Sequence, residues 1–166
     1  MAYKTDLVDP KQKRAIRSKG KILNAARQVF AEKGLHGARI DDISRRAGLN
    51  KQRIYAYFGS KKGVYRQVLL NAYAQVTENE AILALTEKDI PKMTQIVIEA
   101  FFKFHKENPL FWRLFSWENL NGGKSLSDDD WQNIRSSYIN HLEMLYEVGQ
   151  RNGVFNKEIS FFTYLL

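Results

Sequence analysis

The sequence predicts an all-α protein, with an N-terminal three-helix domain followed by a longer helical bundle. Apolar residues recur at helical spacing from Ser18 onward, and the stripes open on Ser, Asn or Asn-Pro and close on Gly, the usual punctuation of helices. Charge places the boundary between the two parts. Residues 1–66 hold 17 Lys or Arg against 5 Asp or Glu, a charge of +12, whereas residues 67–166 hold 9 against 13, a charge of −4. The organisation expected is a flexible basic arm over 1–18, a compact domain over 19–66 and a helical domain over 67–166.

The arm contains Lys4, Lys11, Lys13, Arg14 and Arg17 with Pro10, and shows no apolar stripe before Ile16. Such an arm either lies along DNA beside a main contact or makes no contact at all. From Ser18 the stripe Ile22, Leu23, Ala26, Val29, Phe30 predicts a first helix ended by Gly34.

The next stretch, R-I-D-D-I-S-R-R-A-G-L-N-K-Q-R-I-Y-A-Y-F over residues 39–58, reads as two short helices around a tight turn. Ile40, Ile43 and Ala47 form the apolar side of one helix. Gly48 stops it, and Asn50 caps a second helix on which Ile54 and Phe58 face inward, while Tyr55 is either exposed as a donor or, the preferred reading, packed against the first helix. Lys51, Gln52, Arg53 and Tyr57 remain exposed, the donors that reach base edges and phosphates, so the pattern is that of a helix-turn-helix for the major groove. Asp41 and Asp42 lie in a first turn, where carboxylates favour the helix dipole. Asp41 either serves that helix end or accepts from a cytosine amine.

Ser60 caps a long helix from Lys61 to about Glu80 with Val64, Val68, Leu69, Ala72 and Val76 on its apolar side. Beyond it, Pro91 stands near the start of a helix carrying Ile96, Val97, Ala100, Phe101 and Phe104. Asn108 and Pro109 open L-F-W-R-L-F-S-W-E-N-L, stopped by Asn121, Gly122 and Gly123. Ser127 then opens a helix running through Trp131, Ile134, Tyr138, Leu142, Leu145 and Val148 to Gly149 or Gly153. Asp128, Asp129 and Asp130 form its acidic first turn; consecutive helical residues diverge, so no metal site is expected there.

The run G-L-N-K-Q-R-I-Y-A-Y-F-G-S-K-K-G-V-Y resembles the recognition helix and following segment of TetR-type bacterial regulators, whose pattern is roughly G-V-S-x-x-T-L-Y-x-Y-F-x-S-K-E-x-L. Gly48, Tyr55, Tyr57, Phe58, Ser60 and Lys61 match outright, and Leu49, Ile54 and Val64 match by type. The likeness is strongest over residues 19–70. It implies base contacts from Lys51 and Gln52, a phosphate or guanine contact from Arg53, and phosphate contacts from Tyr57 and Lys61. Arg39 and Arg53 stand where the family usually has small hydroxyl residues. Arg39 cannot cap as Thr does but reaches a phosphate through its guanidinium, and Asn50 is placed beside it as a further phosphate contact.

The resemblance also implies that the bundle holds an effector cavity and a dimer interface. Phe101, Phe104, His105, Trp112, Phe115, Trp131, Tyr138 and His141 are candidates for the cavity wall, the alternative being an ordinary aromatic core with partly buried histidines. The stretch I-S-F-F-T-Y-L-L starts an apolar helix whose hydrophobic side needs a partner. The resemblance implies two more helices that pair with a second chain, so the C-terminal domain is expected to be incomplete and the parent protein a homodimer.

The absence of cysteine removes disulfides and thiolate metal sites, and no run approaches membrane-spanning length, so a cytoplasmic protein without cofactor is expected. Three function classes follow. The first is a regulator, expected to be a repressor, that binds a palindromic operator in double-stranded DNA and is released by a small-molecule effector. The second is an effector-independent DNA-binding or architectural protein. The third, an enzyme, has no nucleophile elbow, phosphate loop or metal-ligand spacing behind it.

Overall fold

A computed structural model describes residues 9–77, 80–135 and 138–165, the side chains of residues 77, 80, 81, 135 and 138 excepted. Every regular element among them is helical: α1 (Pro10–Gly37), α2 (Ile40–Ala47), α3 (Lys51–Phe58), α4 (Lys61–Thr77), α5 (Glu80–Leu83), α6 (Met93–Glu107), α7 (Pro109–Leu120), α8 (Asp128–Arg135), α9 (Tyr138–Arg151) and α10 (Phe161–Leu165), with a short 3₁₀ segment over Glu87–Lys92. The chain forms two compact units. One comprises Met1–Val68 with Arg113–Ser125, the other Leu69–Trp112 with Leu126–Leu166, so the division falls inside α4 and inside α7.

In the first unit α1 supplies the centre of the core, burying Ile22, Ala25, Ala26, Val29, Phe30 and Ala31. Ile40 and Ile43 of α2, Ile54 of α3, and Val64, Tyr65 and Val68 of α4 are also buried, and the Phe30 and Tyr65 rings meet edge to face at 4.8 Å. Each fully buried aliphatic of this set contributes about 1.5–3 kcal/mol. Gly34 ends the regular part of α1 with φ 66° and ψ 180°, as its position after the apolar stripe leads one to expect. A side chain is excluded there on two counts, because a Cβ would also lie 2.8 Å from the Trp117 ring. The Trp117 indole N–H donates to the Ala31 carbonyl at 3.3 Å.

Residues 10–18, expected as part of a flexible arm, are instead the first turns of α1. Pro10 occupies the first helical position and the Asp9 carboxylate accepts from the Lys11 N–H at 3.0 Å, so the helix is capped there. The apolar stripe reports burial, not helicity: Ile16 is 60% exposed, yet each residue added to an existing helix gains a hydrogen bond at small cost. Residues 1–8 of the expected arm lie outside the described residues.

In the second unit the core comprises Ile82, Leu85, Met93, Leu142, Leu145, Tyr146 and Phe161, with Ile96, Val97 and Ala100 of α6 packed against it. Thr86 and Asp89 close a reciprocal cap at the 3₁₀ segment, with Thr86 N–H to Asp89 Oδ2 at 2.9 Å. A second such cap opens α8: Ser127 N–H donates to Asp130 Oδ2 at 3.0 Å and Asp130 N–H to Ser127 Oγ at 3.2 Å. The acidic run thus serves a helix end through Asp130. The single helix expected from Ser127 onward is α8 and α9, residues 136 and 137 lying outside the described residues. Tyr146 donates its hydroxyl to the Ile159 carbonyl at 3.0 Å, fixing the turn before α10.

Candidate nucleic-acid interface

The turn between α2 and α3 is closed by its own residues. Gly48 takes the left-handed conformation, φ 65° and ψ 33°, and its N–H donates to the Arg45 carbonyl at 3.3 Å. The Leu49 N–H reaches the Ser44 carbonyl at 3.2 Å while Ser44 Oγ donates back to the Leu49 carbonyl at 2.6 Å. Asn50 then caps α3, its Oδ1 accepting from the Arg53 N–H at 2.9 Å. This local bonding makes the entry to α3 rigid and sets which side chains face out.

Ile54 anchors α3 with no exposed surface, and Lys51, Gln52 and Arg53 lie exposed beside it. Tyr55 departs from expectation: it is 46% exposed, not part of the core. Adjacent helical residues point about 100° apart, so with Ile54 directed inward Tyr55 cannot share its face. Phe58, one turn on from Ile54, is half-buried, and so is Tyr57, over whose ring the Lys19 ammonium sits 5.6 Å from the centroid.

Acidic groups hold α2 and pair with its neighbours. The Asp42 carboxylate receives the Lys33 ammonium at 2.7 Å and the Arg45 guanidinium at 3.2 Å. Its pKa is held below the ordinary value by the Lys33 hydrogen bond first, and by the charges of Lys33, Arg45 and Arg39. Arg46 grips Glu32 of α1 with both nitrogens, at 2.8 and 3.2 Å, and lowers the Glu32 pKa through that bond. Asp41 pairs with Lys51, whose pKa is raised chiefly by the hydrogen bond. Asp41 thus engages the side chain expected to read a base, a role that reading α2 alone leaves out.

Arg39 precedes α2 and is exposed, with no capping bond from its side chain. Lys61 is directed back toward α1, donating to the Ala38 carbonyl at 2.9 Å and the His36 carbonyl at 3.4 Å. Ser60 accepts from the Gly63 N–H at 3.0 Å, capping α4 as its sequence position indicates. Arg53 and Tyr57 line one cleft with Lys11, Arg14, Arg17 and Lys21 of α1. Lys21 carried no signal in the sequence beyond its charge.

Of the residues expected to line an effector cavity, Phe101, His105 and Trp112 lie together, with His105 and Trp112 4.5 Å apart and Phe101 and Trp112 5.7 Å apart. Phe104 packs on Phe111 at 5.0 Å, and Tyr73 joins Phe111 at 5.9 Å to Trp131 at 5.2 Å. His141 spends its Nε2 on the Leu85 carbonyl at 2.9 Å. Phe115 falls in the segment grouped with the first unit. The Tyr138 side chain lies outside the described residues.

Comparison with known proteins bears on both units. Residues 22–68 match the model of bacterial regulatory proteins of the tetR family, and residues 92–166 match the tetracyclin repressor-like C-terminal domain. The HTH-type transcriptional repressor NicS of Pseudomonas putida is 32% identical over 148 residues, 87% of this chain and 69% of that protein. The HTH-type transcriptional regulator RutR of Escherichia coli is 32% identical over 127 residues, 72% of this chain and 56% of that protein. The chain therefore spans roughly half to two thirds of the length of these relatives.

Among solved structures, a TetR-family regulator from Shewanella sp. PV-4 superposes with a TM-score of 0.68 at 20% identity, over 82% of this chain and 71% of its own. The TetR-family regulator PfmR of Thermus thermophilus superposes with a TM-score of 0.62 at 27% identity, over 82% of this chain and 74% of its own. Among the described residues no helix is long and apolar enough to cross a membrane. The matches on both units, and a relative sharing a third of its residues over most of the chain, show that this chain belongs to the TetR family of bacterial regulatory proteins.

Proposed function

We propose that the protein is a sequence-specific transcriptional repressor, which binds a palindromic operator as a homodimer and is released when a small molecule occupies the C-terminal bundle. The observation that carries this reading is α3: a short helix fixed at its start by the Gly48 turn and the Asn50 cap, anchored by Ile54, and presenting Lys51, Gln52 and Arg53 to solvent. Family membership supports it, as does the naming of NicS as a repressor.

In this reading Lys51 donates to guanine acceptors, Gln52 pairs with adenine, and Arg53 holds a flanking phosphate or extends to a guanine. Asn50 uses its oxygen in the cap and keeps its amide N–H groups for a phosphate. Lys61 spends donors on the carbonyls of His36 and Ala38 and directs its remaining charge to the backbone, together with Arg39 and Tyr57. Two such heads reading one face of the duplex stand about 34–36 Å apart. The effector acts by favouring a state of different spacing, a population shift that weakens operator affinity. The aromatic groups around Trp112 and Trp131 supply the apolar wall such an effector needs.

Selection of bound duplexes from a random pool tests the first half of this proposal, and a compound screen against the selected duplex tests the second. A palindromic consensus is the expected product. A pool that shows no enriched sequence would remove the repressor reading.

A further inference from the structure

We infer that the first three turns of α1 form, with α3, a cleft for the DNA phosphate backbone flanking the bases that α3 reads; this rests on the DNA-binding reading above. The cleft holds about 490 Å³ and is lined by Lys11, Arg14, Arg17 and Lys21 on one side and by Arg53 and Tyr57 on the other. Residues 11, 14, 17 and 21 follow one another at three- and four-residue steps, so they share one face of α1. At a rise of 1.5 Å per residue they extend over about 15 Å, the axial rise of about four phosphates of one strand.

The distribution of acids separates this cleft from the paired cations on and around α2. Glu32 pairs with Arg46, Asp41 with Lys51, and Asp42 with both Lys33 and Arg45, while Lys61 donates to backbone carbonyls. Among the described residues, none of the five cations in the cleft pairs with a carboxylate and no acid lines the cleft. Like charges gathered without counter-ions repel one another and bind an anion of matching spacing. The phosphates of a duplex whose major groove holds α3 supply such an anion, whereas a small free anion matches only one or two of the cations. The contact is blind to sequence, so it adds affinity and salt dependence without changing base preference.

The test compares the protein with a variant carrying Arg14→Ala, Arg17→Ala and Lys21→Ala, all at exposed positions. Both are titrated over a range of salt against random-sequence duplexes of about 30 base pairs, long enough for both sides of a half-site to be covered. Loss of three phosphate contacts lowers the slope of log K against log[salt] by about 2.7, at 0.9 per phosphate. The charge-conserving variant Arg14→Lys, Arg17→Lys, Lys21→Arg keeps the original slope. The consensus selected from a random pool stays the same for all three proteins. An Ala variant with an unchanged slope overturns the inference while leaving α3 as the reading helix. So does a charge-conserving variant that loses as much slope as the Ala variant. Failure of the unsubstituted protein to bind any duplex overturns both readings.

Discussion

Replacing Gly34 by Ala probes how the helix that supports the reading head is terminated. Two costs apply. The backbone at φ 66° and ψ 180° lies in a region that residues other than glycine scarcely occupy, a cost of about 1–3 kcal/mol. The new Cβ would stand 2.8 Å from Cδ2 and Cε3 of Trp117. Carbon atoms prefer 3.5–4.0 Å, so the ring has to retreat by about 1 Å. That retreat strains the 3.3 Å bond from the indole N–H to Ala31 and adds about 1–3 kcal/mol of overpacking. The sum is about 2–6 kcal/mol, read as a shift in the urea midpoint by circular dichroism with the slope unchanged. A Trp117→Ala partner separates the two parts. In the double variant the overpacking disappears and the backbone cost stays, so the pair is coupled by about 1–3 kcal/mol. A loss below about 0.5 kcal/mol for Gly34→Ala would show that neither the backbone nor the ring contact constrains this site, and strict additivity with Trp117→Ala would refute the ring contact alone.

The remaining predictions concern the head itself. Ile54→Ala removes a side chain with no exposed surface and is expected to cost about 2–5 kcal/mol in the same unfolding assay. Gln52→Ala leaves stability unchanged and lowers affinity for the selected operator by about 5- to 150-fold, with base preference relaxed at one position; an equal loss on all duplexes would make Gln52 a phosphate contact instead. Asp41→Asn frees Lys51, so binding to random duplexes tightens relative to binding to the operator, and an unaltered ratio refutes the coupling. The Glu32 and Asp42 pKa values are both held below their ordinary 4.5 and 3.8. The folded state therefore binds fewer protons than the unfolded one, and the stability from these pairs is complete above those values and lost as pH falls through them. Unfolding midpoints for Glu32→Gln should accordingly fall less steeply with acid below about pH 4.5 than those of the unsubstituted protein, and a superimposable profile would exclude the Arg46 pair as the cause.

Much of the fold was legible because helices announce themselves locally. The stripe ending at Gly34, the left-handed Gly48, the caps at Asn50, Ser60 and Ser127, and the stop after Leu120 all rest on interactions within a few residues. The position of the reading helix followed from the same signals. Two placements differ from the structure. Apolar periodicity records which residues are buried, so it missed the exposed opening turns of α1, and Tyr55, preferred as packed against the first helix, lies exposed instead.

The sequence by itself determined the all-helical architecture, the charge division and the position of α3 with its exposed Lys51, Gln52 and Arg53, since period, caps and composition are properties of short segments. Only the tertiary structure decided how the charged side chains are engaged. It set Asp41 on Lys51, Lys61 on carbonyls 23 and 25 residues away, and Trp117 on a carbonyl 86 residues away. It also left the cations of α1 facing Arg53 with no acid between them among the described residues. Each of these depends on which surfaces the packed helices bring together, and a Coulomb interaction is set by distance in space rather than distance along the chain.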